Sequence, residues 1–307
     1  MNRPKLICIV GPTASGKSAI AVELAKRLDG EVVSADSMQV YRYMDIGTAK
    51  PSIREMEGIP HHMINVVNPD ENFSVSDYRE MAATVIEDIA KRGKRVIVAG
   101  GTGLYIRALT KGLVDTPRGD GLLREKLKRE AQEKGPLYLY RTLEKIDPEA
   151  AVEIHPNNLV RVIRAIEVAT LTGKKISEFQ RSHRFSEKDY DYLMLGIDID
   201  RDELYRRIDG RVDIMIGDGL KEEVKELLEK GYSRELKPMR GVGYKEMCAH
   251  IIDGISLERA VELIKRDSRR YAKRQLTWFR KEEVRWLKKE ELLSVGFMNS
   301  VESFYNI

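Results

Sequence analysis

The chain has little cysteine and no long apolar run, and both features restrict what it can be. Its 307 residues include two cysteines, Cys8 and Cys248, too few and too distant for a disulfide framework or a zinc site. No apolar run approaches the ~20 residues that a membrane-spanning helix requires, so no membrane partner is expected. Internal repeats and low-complexity tracts are also lacking. With 42% apolar and 33% charged residues, the chain is expected to be a soluble globular protein.

Neither sign of charge dominates, because the formal net charge is only +4. The positions at which basic residues collect are therefore more informative than their total. The N-terminus reads Met-Asn-Arg-Pro-Lys and leads directly into an apolar segment. It lacks the apolar stretch and the small-residue cleavage site of a signal peptide, so a cytoplasmic location is expected.

A phosphate-binding motif lies close to the N-terminus. Residues 11–18 match G-x-x-x-x-G-K-[ST] at every fixed position. An apolar run at 6–10 predicts a strand before the motif, and apolar residues at helical spacing predict a helix over 19–28 after it. In such a unit, backbone N–H groups and the helix N-terminus point at the phosphate, a lysine adds charge and a hydroxyl can ligate Mg²⁺. The predicted phosphate-binding residues are Gly11, Pro12, Thr13, Ala14, Ser15, Gly16, Lys17 and Ser18, the last also as the metal ligand.

Apolar runs that alternate with helical patterns predict a parallel sheet with helices on both faces. The predicted strands are 6–10, 31–34, 63–67, 96–99 and 192–197, and the main helical patterns outside 115–191 are 74–92, 204–215, 220–230 and 257 to about 287. Residues 115–191 contain helical patterns but no convincing strand. The expected fold is α/β, with a P-loop NTPase-like core domain of residues 1–114 and 192–307, whose C-terminal part is helical, and a helical insertion domain of residues 115–191.

Two predicted strands end in residues that suit a ligand site, because ligands of parallel α/β sheets bind beyond the carboxyl ends of the strands. Strand 31–34 leads to Asp36, which is either a functional carboxylate or the cap of a turn. Strand 96–99 leads to Gly-Gly-Thr-Gly at 100–103. A kinase or ATPase often has an acidic residue here for magnesium. The glycines instead allow the backbone to approach a ligand closely.

Together these blocks resemble the tRNA dimethylallyltransferases, also called tRNA isopentenyltransferases. Besides the phosphate loop, the resemblance rests on Asp-Ser-Met-Gln-Val-Tyr at 36–41, Gly-Thr-Ala-Lys-Pro at 47–51, His-His at 61–62 and Gly-Gly-Thr-Gly-Leu-Tyr at 100–105. It continues with Asn-Leu-Val-Arg-Val-Ile-Arg-Ala-Ile-Glu at 158–167, Arg-Gly-Val-Gly-Tyr-Lys-Glu at 240–246 and Lys-Arg-Gln-Leu-Thr-Trp-Phe-Arg at 273–280. The chain resembles the bacterial type, since its tail lacks the Cys and His residues of a zinc finger.

The resemblance implies transfer of a dimethylallyl group from dimethylallyl diphosphate to N6 of adenine 37, beside the tRNA anticodon. The phosphate loop would then hold the diphosphate of the donor, with Mg²⁺ as cofactor. Asp36 is implied as the general base and Thr102 as a contact to the bridging oxygen or the adenine. Arg211 is implied to pair with the diphosphate, although a solvated helix charge is the alternative.

The resemblance also implies that the tRNA anticodon stem-loop is a partner, that the insertion domain contacts it and that the enzyme is a monomer. A basic run at 266–274 either binds tRNA phosphates or forms a solvated helix face. The residues implied to contact tRNA are Asp36, Ser37, Met38, Gln39, Thr102, Arg124, Val160, Arg161, Val162, Ile163, Arg164, Arg240, Gly241, Val242, Gly243, Tyr244 and Lys245.

Three other functions are compatible with part of the sequence. A small-molecule or nucleotide kinase explains the phosphate loop, but not the glycine-rich strand end or the basic C-terminal helix. An isopentenyltransferase that uses free adenine nucleotides would not need the helical insertion or the 240–245 segment. A nucleotide-regulated RNA-binding module would leave Asp36 and Thr102 without a role.

Overall fold

The computed structural model describes residues 3–183 and 189–306 and forms two compact units. One, here called the core unit, comprises Met1–Thr110 and Asp189–Ile307. The other, the insertion unit, comprises Lys111–Lys188. Within the described residues, no helix combines the length and apolar character needed to cross a membrane.

The core unit contains a parallel six-stranded sheet with the order β3-β2-β4-β1-β5-β6, which confirms the predicted α/β fold class. The central strands are apolar on both sides: Leu6 and Cys8 pack on one face, whereas Ile7 and Ile9 pack on the other. Such strands require a helical layer on each face. The strands are β1 Lys5–Val10, β2 Gly30–Ser34, β3 His61–His62, β4 Arg95–Gly100, β5 Asp191–Ile197 and β6 Arg285–Leu287.

Helices of the core unit cover both faces of this sheet. The third of them, α3, begins with a reciprocal capping box between Ser74 and Asp77. In chain order, the helices are α1 Lys17–Leu28, α2 Ile53–Met56, α3 Val75–Lys91, α4 Gly103–Thr110, then, after the insertion, α10 Arg201–Gly217, α11 Leu220–Glu229, α12 Tyr244–Asp253, α13 Leu257–Phe279, α14 Lys289–Leu292 and α15 Val295–Asn306. A single 3₁₀ turn, Pro238–Arg240, precedes α12.

Two secondary-structure predictions were wrong. The apolar run 63–67 is not a strand, since Met63 and Asn65 have left-handed backbone angles of 61° and 57°. The helical pattern from 257 does not reach 287: α13 ends at Phe279, and β6 pairs in parallel with β5. Residues 65–67 form backbone hydrogen bonds with residues 39–42, and β6 pairs with β5. In both places the backbone conformation follows from a contact with another segment and not from the local apolar pattern.

The insertion unit has a hydrophobic core of its own. The buried residues of this core include Leu127, Leu139, Leu143, Val162 and Ile166. Its helices are α5 Gly121–Lys134, α6 Pro136–Ile146, α7 Pro148–Glu153, α8 Leu159–Thr172 and α9 Ile176–His183. A hydrophobic core of its own is what makes this unit compact.

Candidate active site

An open cavity of about 430 Å³ lies in the core unit at the carboxyl ends of the strands. The loop after β1, the loop after β2 and the end of β4 form its floor. Residues of α10, the 240–245 segment and α13 complete its walls. This is where a parallel α/β sheet is expected to bind its ligand.

The phosphate loop contributes Thr13, Ala14, Lys17 and Ser18 to the cavity. The Lys17 ammonium donates a 2.6 Å hydrogen bond to the Pro12 carbonyl, which turns it back over its own loop. Burial lowers the pKa of Lys17 to about 8; the Asp36 carboxylate opposes this effect and the Arg211 guanidinium adds to it. An anion in the cavity would favour the charged form of Lys17 and raise this pKa again.

Arg211 reaches the phosphate loop from α10. Its guanidinium donates to the Thr13 hydroxyl at 3.2 Å and to the Ala49 carbonyl at 3.4 Å. In the part of the chain that the structure describes, no carboxylate pairs with it, and burial lowers its pKa. The Asp36 and Glu55 carboxylates oppose this effect only from a distance, so a bound anion would stabilise the partly buried cation. This geometry favours an anion-binding Arg211 over a solvated helix charge.

The two roles considered for Asp36 are compatible with each other in the structure. Its Oδ1 atom accepts from the backbone N–H groups of Met38 at 2.8 Å and Gln39 at 3.3 Å, which caps the turn. Among the described residues, the structure shows no hydrogen bond to its Oδ2 atom. Because Asp36 also lines the cavity, it can hold its loop with one oxygen and accept a proton with the other.

Thr102 contacts this loop but is not one of the residues that line the cavity. Its hydroxyl oxygen accepts from the Ser37 N–H at 2.9 Å and lies 3.2 Å from the Ser37 hydroxyl. A Cβ atom at Gly100 would lie 2.1 Å from the Ala35 carbonyl oxygen, so only glycine lets these two strand ends approach. The observed contacts of Thr102 therefore orient the Asp36 loop, and its contact with substrate stays a prediction.

The 240–245 segment faces the cavity except for Tyr244. The residues of this segment that line the cavity are Arg240, Gly241, Val242, Gly243 and Lys245. The Tyr244 side chain is fully buried and donates a 2.7 Å hydrogen bond to Glu223. A tRNA contact at position 244 would therefore have to involve the backbone or the neighbouring side chains.

Glu223 is a site residue that the sequence did not reveal. Besides Tyr244, its carboxylate accepts from the backbone N–H groups of Asp45 and Ile46, both at 2.7 Å, and Gly47 at 3.1 Å. It thereby holds the loop that carries the cavity residues Thr48 and Ala49. No sequence signal distinguishes Glu223 from the other glutamates of α11.

Tyr271 and Gln275 of α13 also line the cavity and were not predicted as site residues. Burial and the nearby Asp36 carboxylate raise the pKa of Tyr271 well above its usual value, while a hydrogen bond with Thr102 acts in the opposite direction. The sequence does contain a signal for Gln275, because it is a polar residue on the same face of α13 as the buried residues Ala272 and Phe279.

Much of the basic run on α13 is already paired with acidic residues. Arg266 and Arg270 pair with Asp267, and Arg269 pairs with Asp209. Within the described residues, Lys273 and Arg274 have no carboxylate partner, and Arg274 lines the cavity. These two residues are therefore the cations of the run that are available to a phosphate group.

Among the other predicted tRNA contacts, Ser37, Met38 and Gln39 line the cavity. Those at positions 124 and 160–164 lie in the insertion unit. Val160 and Arg161 are exposed at the start of α8, whereas Val162 and Ile163 are buried in the core of the unit. Arg124 and Arg164 both pair with Glu167, whose side chain is fully buried and also accepts from the Asp120 N–H. The two arginines thus have a structural role within their own unit.

Replacing Glu167 by alanine is expected to destabilise the protein by roughly 2 kcal/mol, because both arginines lose a buried partner but keep partial access to water. Thermal unfolding compared with Glu125→Ala, which removes an exposed partner of Lys128, measures the effect. Equal unfolding temperatures for the two variants would contradict a structural role for Glu167.

The class that this architecture defines is that of the P-loop proteins, whose phosphate-binding loop joins the first strand to the first helix. Within this class, the family model described as IPP transferase matches residues 39–282. The chain belongs to this family.

Named relatives agree with this assignment. The chain is 56% identical over 275 residues to tRNA dimethylallyltransferase 2 of Geotalea daltonii, with 90% of this chain and 84% of that protein aligned. The full-length tRNA isopentenylpyrophosphate transferase of Bacillus halodurans superposes with a TM-score of 0.72 at 42% identity, over 99% of this chain and all of the other. A eukaryotic dimethylallyltransferase studied acting on tRNA gives a TM-score of 0.84 at 33% identity, over 99% of this chain and 80% of the other.

Proposed function

We propose that the protein transfers a dimethylallyl group from dimethylallyl diphosphate to N6 of adenine 37 in tRNA, releasing diphosphate. The observation that carries this proposal is the composition of one cavity. Lys17 and Arg211 provide an anion site there, and the Asp36 carboxylate lines the same space. Family membership and the names of the relatives support the same reaction.

On the donor side, the reaction breaks the bond between the allylic carbon and the diphosphate oxygen. The electron pair of that bond stays on the diphosphate, which gains negative charge. Lys17 and Arg211 are positively charged groups that stabilise this charge more strongly as it develops. Both cations are partly buried, which lowers the effective dielectric around them and strengthens their effect.

On the acceptor side, adenine N6 forms the new bond to the allylic carbon and loses a proton. The Asp36 carboxylate accepts that proton through the oxygen that the turn does not use. The Met38 and Gln39 N–H groups hold the other oxygen, so the carboxylate is oriented before the substrate arrives. Thr102 keeps this loop in place through Ser37.

Mg²⁺ is proposed as a cofactor with few protein ligands. The exposed Ser18 hydroxyl lies in the cavity, and the described residues contain no group of three His, Cys, Asp or Glu side chains suited to a metal. This donor set fits a Mg²⁺ ion held mainly by substrate phosphate oxygens and water, with Ser18 as a protein ligand. When bound, the ion would neutralise charge on the diphosphate.

The tRNA partner is proposed to be the anticodon stem-loop, bound by the protein as a monomer. An adenine stacked in that loop must be extruded to reach a donor at the strand ends. Arg240, Lys245 and Arg274 line the cavity and supply positive charge at the place where the backbone of the extruded nucleotide would pass.

The test is to incubate the purified protein with Mg²⁺, unmodified tRNA and radiolabelled dimethylallyl diphosphate, with ATP and the same tRNA in a parallel reaction. Label incorporated at adenine 37 without turnover of ATP is the expected result. If no label is transferred and ATP is consumed with a small acceptor, the protein is a kinase and the proposal is wrong.

Donor affinity is expected to decrease as the pH rises through about 8. Below this pH Lys17 is charged in the free protein. Above it, binding of the diphosphate must first take up a proton, so the dissociation constant increases by up to about tenfold per pH unit. Calorimetric titration of the donor between pH 7 and pH 9.5 measures the slope. Lys17→Arg, charged throughout, should flatten it, whereas a pH-independent wild-type affinity would contradict the lowered pKa of Lys17.

Binding of tRNA is expected to weaken steeply with salt, by at least about tenfold between roughly 50 and 200 mM, if contacts to several phosphates dominate. Filter binding at a series of salt concentrations measures the slope, and the shallower response of the small donor serves as the internal control. A flat tRNA response would contradict phosphate contacts by the basic residues of the core unit.

A further inference from the structure

Gln275 forms a direct bridge between the phosphate loop and the segment that follows β4. Its side-chain oxygen accepts a 2.8 Å hydrogen bond from the Thr13 N–H of the phosphate loop. Its side-chain nitrogen donates a 3.0 Å hydrogen bond to the carbonyl of Gly101, the residue after β4. The side chain therefore reaches from α13 to both loops at once.

This glutamine is placed where a helix would ordinarily present an apolar residue. It is 6% exposed and lies on the same face of α13 as Ala272 and Phe279, both fully buried. A buried amide is tolerated only when its polar atoms are satisfied. Here the oxygen needs a donor and the nitrogen needs an acceptor, and the two loops supply one each.

The bridge continues to the proposed base through short links. Thr102, the residue after Gly101, holds the Ser37 N–H at 2.9 Å, and Ser37 follows Asp36. On the other side, Thr13 accepts a hydrogen bond from Arg211. A continuous set of contacts thus connects the cation that would hold the donor with the carboxylate that would accept the proton.

We propose that Gln275 is a positioning residue that fixes the distance between the phosphate loop and the Asp36 loop, and thereby sets the rate of prenyl transfer. The proposal rests on the function proposed above. Gln275 uses the N–H of Thr13 and does not add a charge to the anion site. Its loss therefore affects the alignment of donor and base much more than the affinity for the diphosphate.

Gln275→Met tests the proposal, since methionine has a similar length but makes neither hydrogen bond. The expected result is a single-turnover rate about 30-fold or more below wild type, because misplacement by about 1 Å costs on that order. The dissociation constant of the donor, measured by calorimetry, should stay within about threefold. Gln132→Met makes the same chemical change on the exposed face of α5 and serves as the control.

The two kinds of failure can be separated. If wild-type protein transfers no prenyl group, the proposed function is wrong. If wild type is active and Gln275→Met keeps its rate, or loses donor affinity as much as rate, the positioning role is wrong. A structural role alone would lower the melting temperature without separating rate from affinity.

Gly101→Ala provides a second test that does not depend on how well methionine packs. A Cβ atom at position 101 would lie 2.1 Å from the side-chain nitrogen of Gln275, so alanine should displace the bridge. The single-turnover rates of Gly101→Ala, Gln275→Ala and the double variant form a cycle. The double variant is expected to be no slower than the slower single variant, whereas fully additive losses would show that the two residues act independently and would overturn the proposal.

Discussion

Replacing Asp36 by asparagine is expected to lower the rate of prenyl transfer by about a hundredfold or more, while donor binding stays nearly unchanged. Asparagine has the same shape and keeps an oxygen that can accept from the Met38 and Gln39 N–H groups, so the turn should persist. What is lost is the ability to accept the adenine proton. Single-turnover transfer with saturating tRNA, together with the donor dissociation constant, separates the two effects.

Two further variants make this result interpretable. Asp36→Ala removes both the base and the turn contacts, so it should be at least as slow as Asp36→Asn and should also lower the melting temperature. Asp70→Asn changes an exposed aspartate in the same way and should leave the rate unaltered. Wild-type turnover in Asp36→Asn would remove Asp36 from the chemistry and leave it as a turn cap.

Replacing Arg211 by methionine is expected to change activity and stability in opposite directions. Transfer should fall by about a hundredfold to a thousandfold, since a cation that stabilises the leaving diphosphate is lost. The melting temperature of the ligand-free protein should stay the same or rise, because the variant removes a partly buried cation that has no carboxylate partner among the described residues. The pKa of Lys17 should also rise, as the repulsion from Arg211 disappears.

Arg207→Met is the matched control for this prediction. Arg207 lies one turn earlier on α10, where it pairs at the surface with Glu203, four residues away. An exposed pair of this kind contributes little to stability, so neither the rate nor the melting temperature should change much. A clearly lower melting temperature for Arg211→Met would show that its bonds to Thr13 and Ala49 outweigh the burial of its charge.

Several site features could be predicted from the sequence because they depend on residues close together in the chain. The phosphate loop needs its glycines, its lysine and the flanking strand and helix within about 25 residues, and all of these are local patterns. The turn that Asp36 caps is equally local, since its hydrogen bonds reach only two and three residues along the chain. The apolar runs of the central strands predicted burial on both faces, and hence the parallel sheet.

Local sequence patterns gave wrong predictions where neighbouring residues do not decide the structure. The run 63–67 has the composition of a strand but adopts left-handed angles at Met63 and Asn65. The C-terminal pattern reads as a continuous helix, yet residues 285–287 leave it to pair with β5. Apolar composition reports burial, and it does not report which distant segment provides the hydrogen bonds.

The sequence by itself therefore determined the class of fold, the phosphate loop and the residue types available for the chemistry. Only the tertiary structure decided which of them meet. Arg211 reaches Thr13 across 198 positions, Gln275 reaches Gly101 across 174, and Glu223 holds residues 45–47 across about the same span. The physical reason is that local patterns indicate most of the helices and strands but not the contacts between them. The contacts between them depend on how all the buried faces pack at once, and no single segment of the chain encodes this.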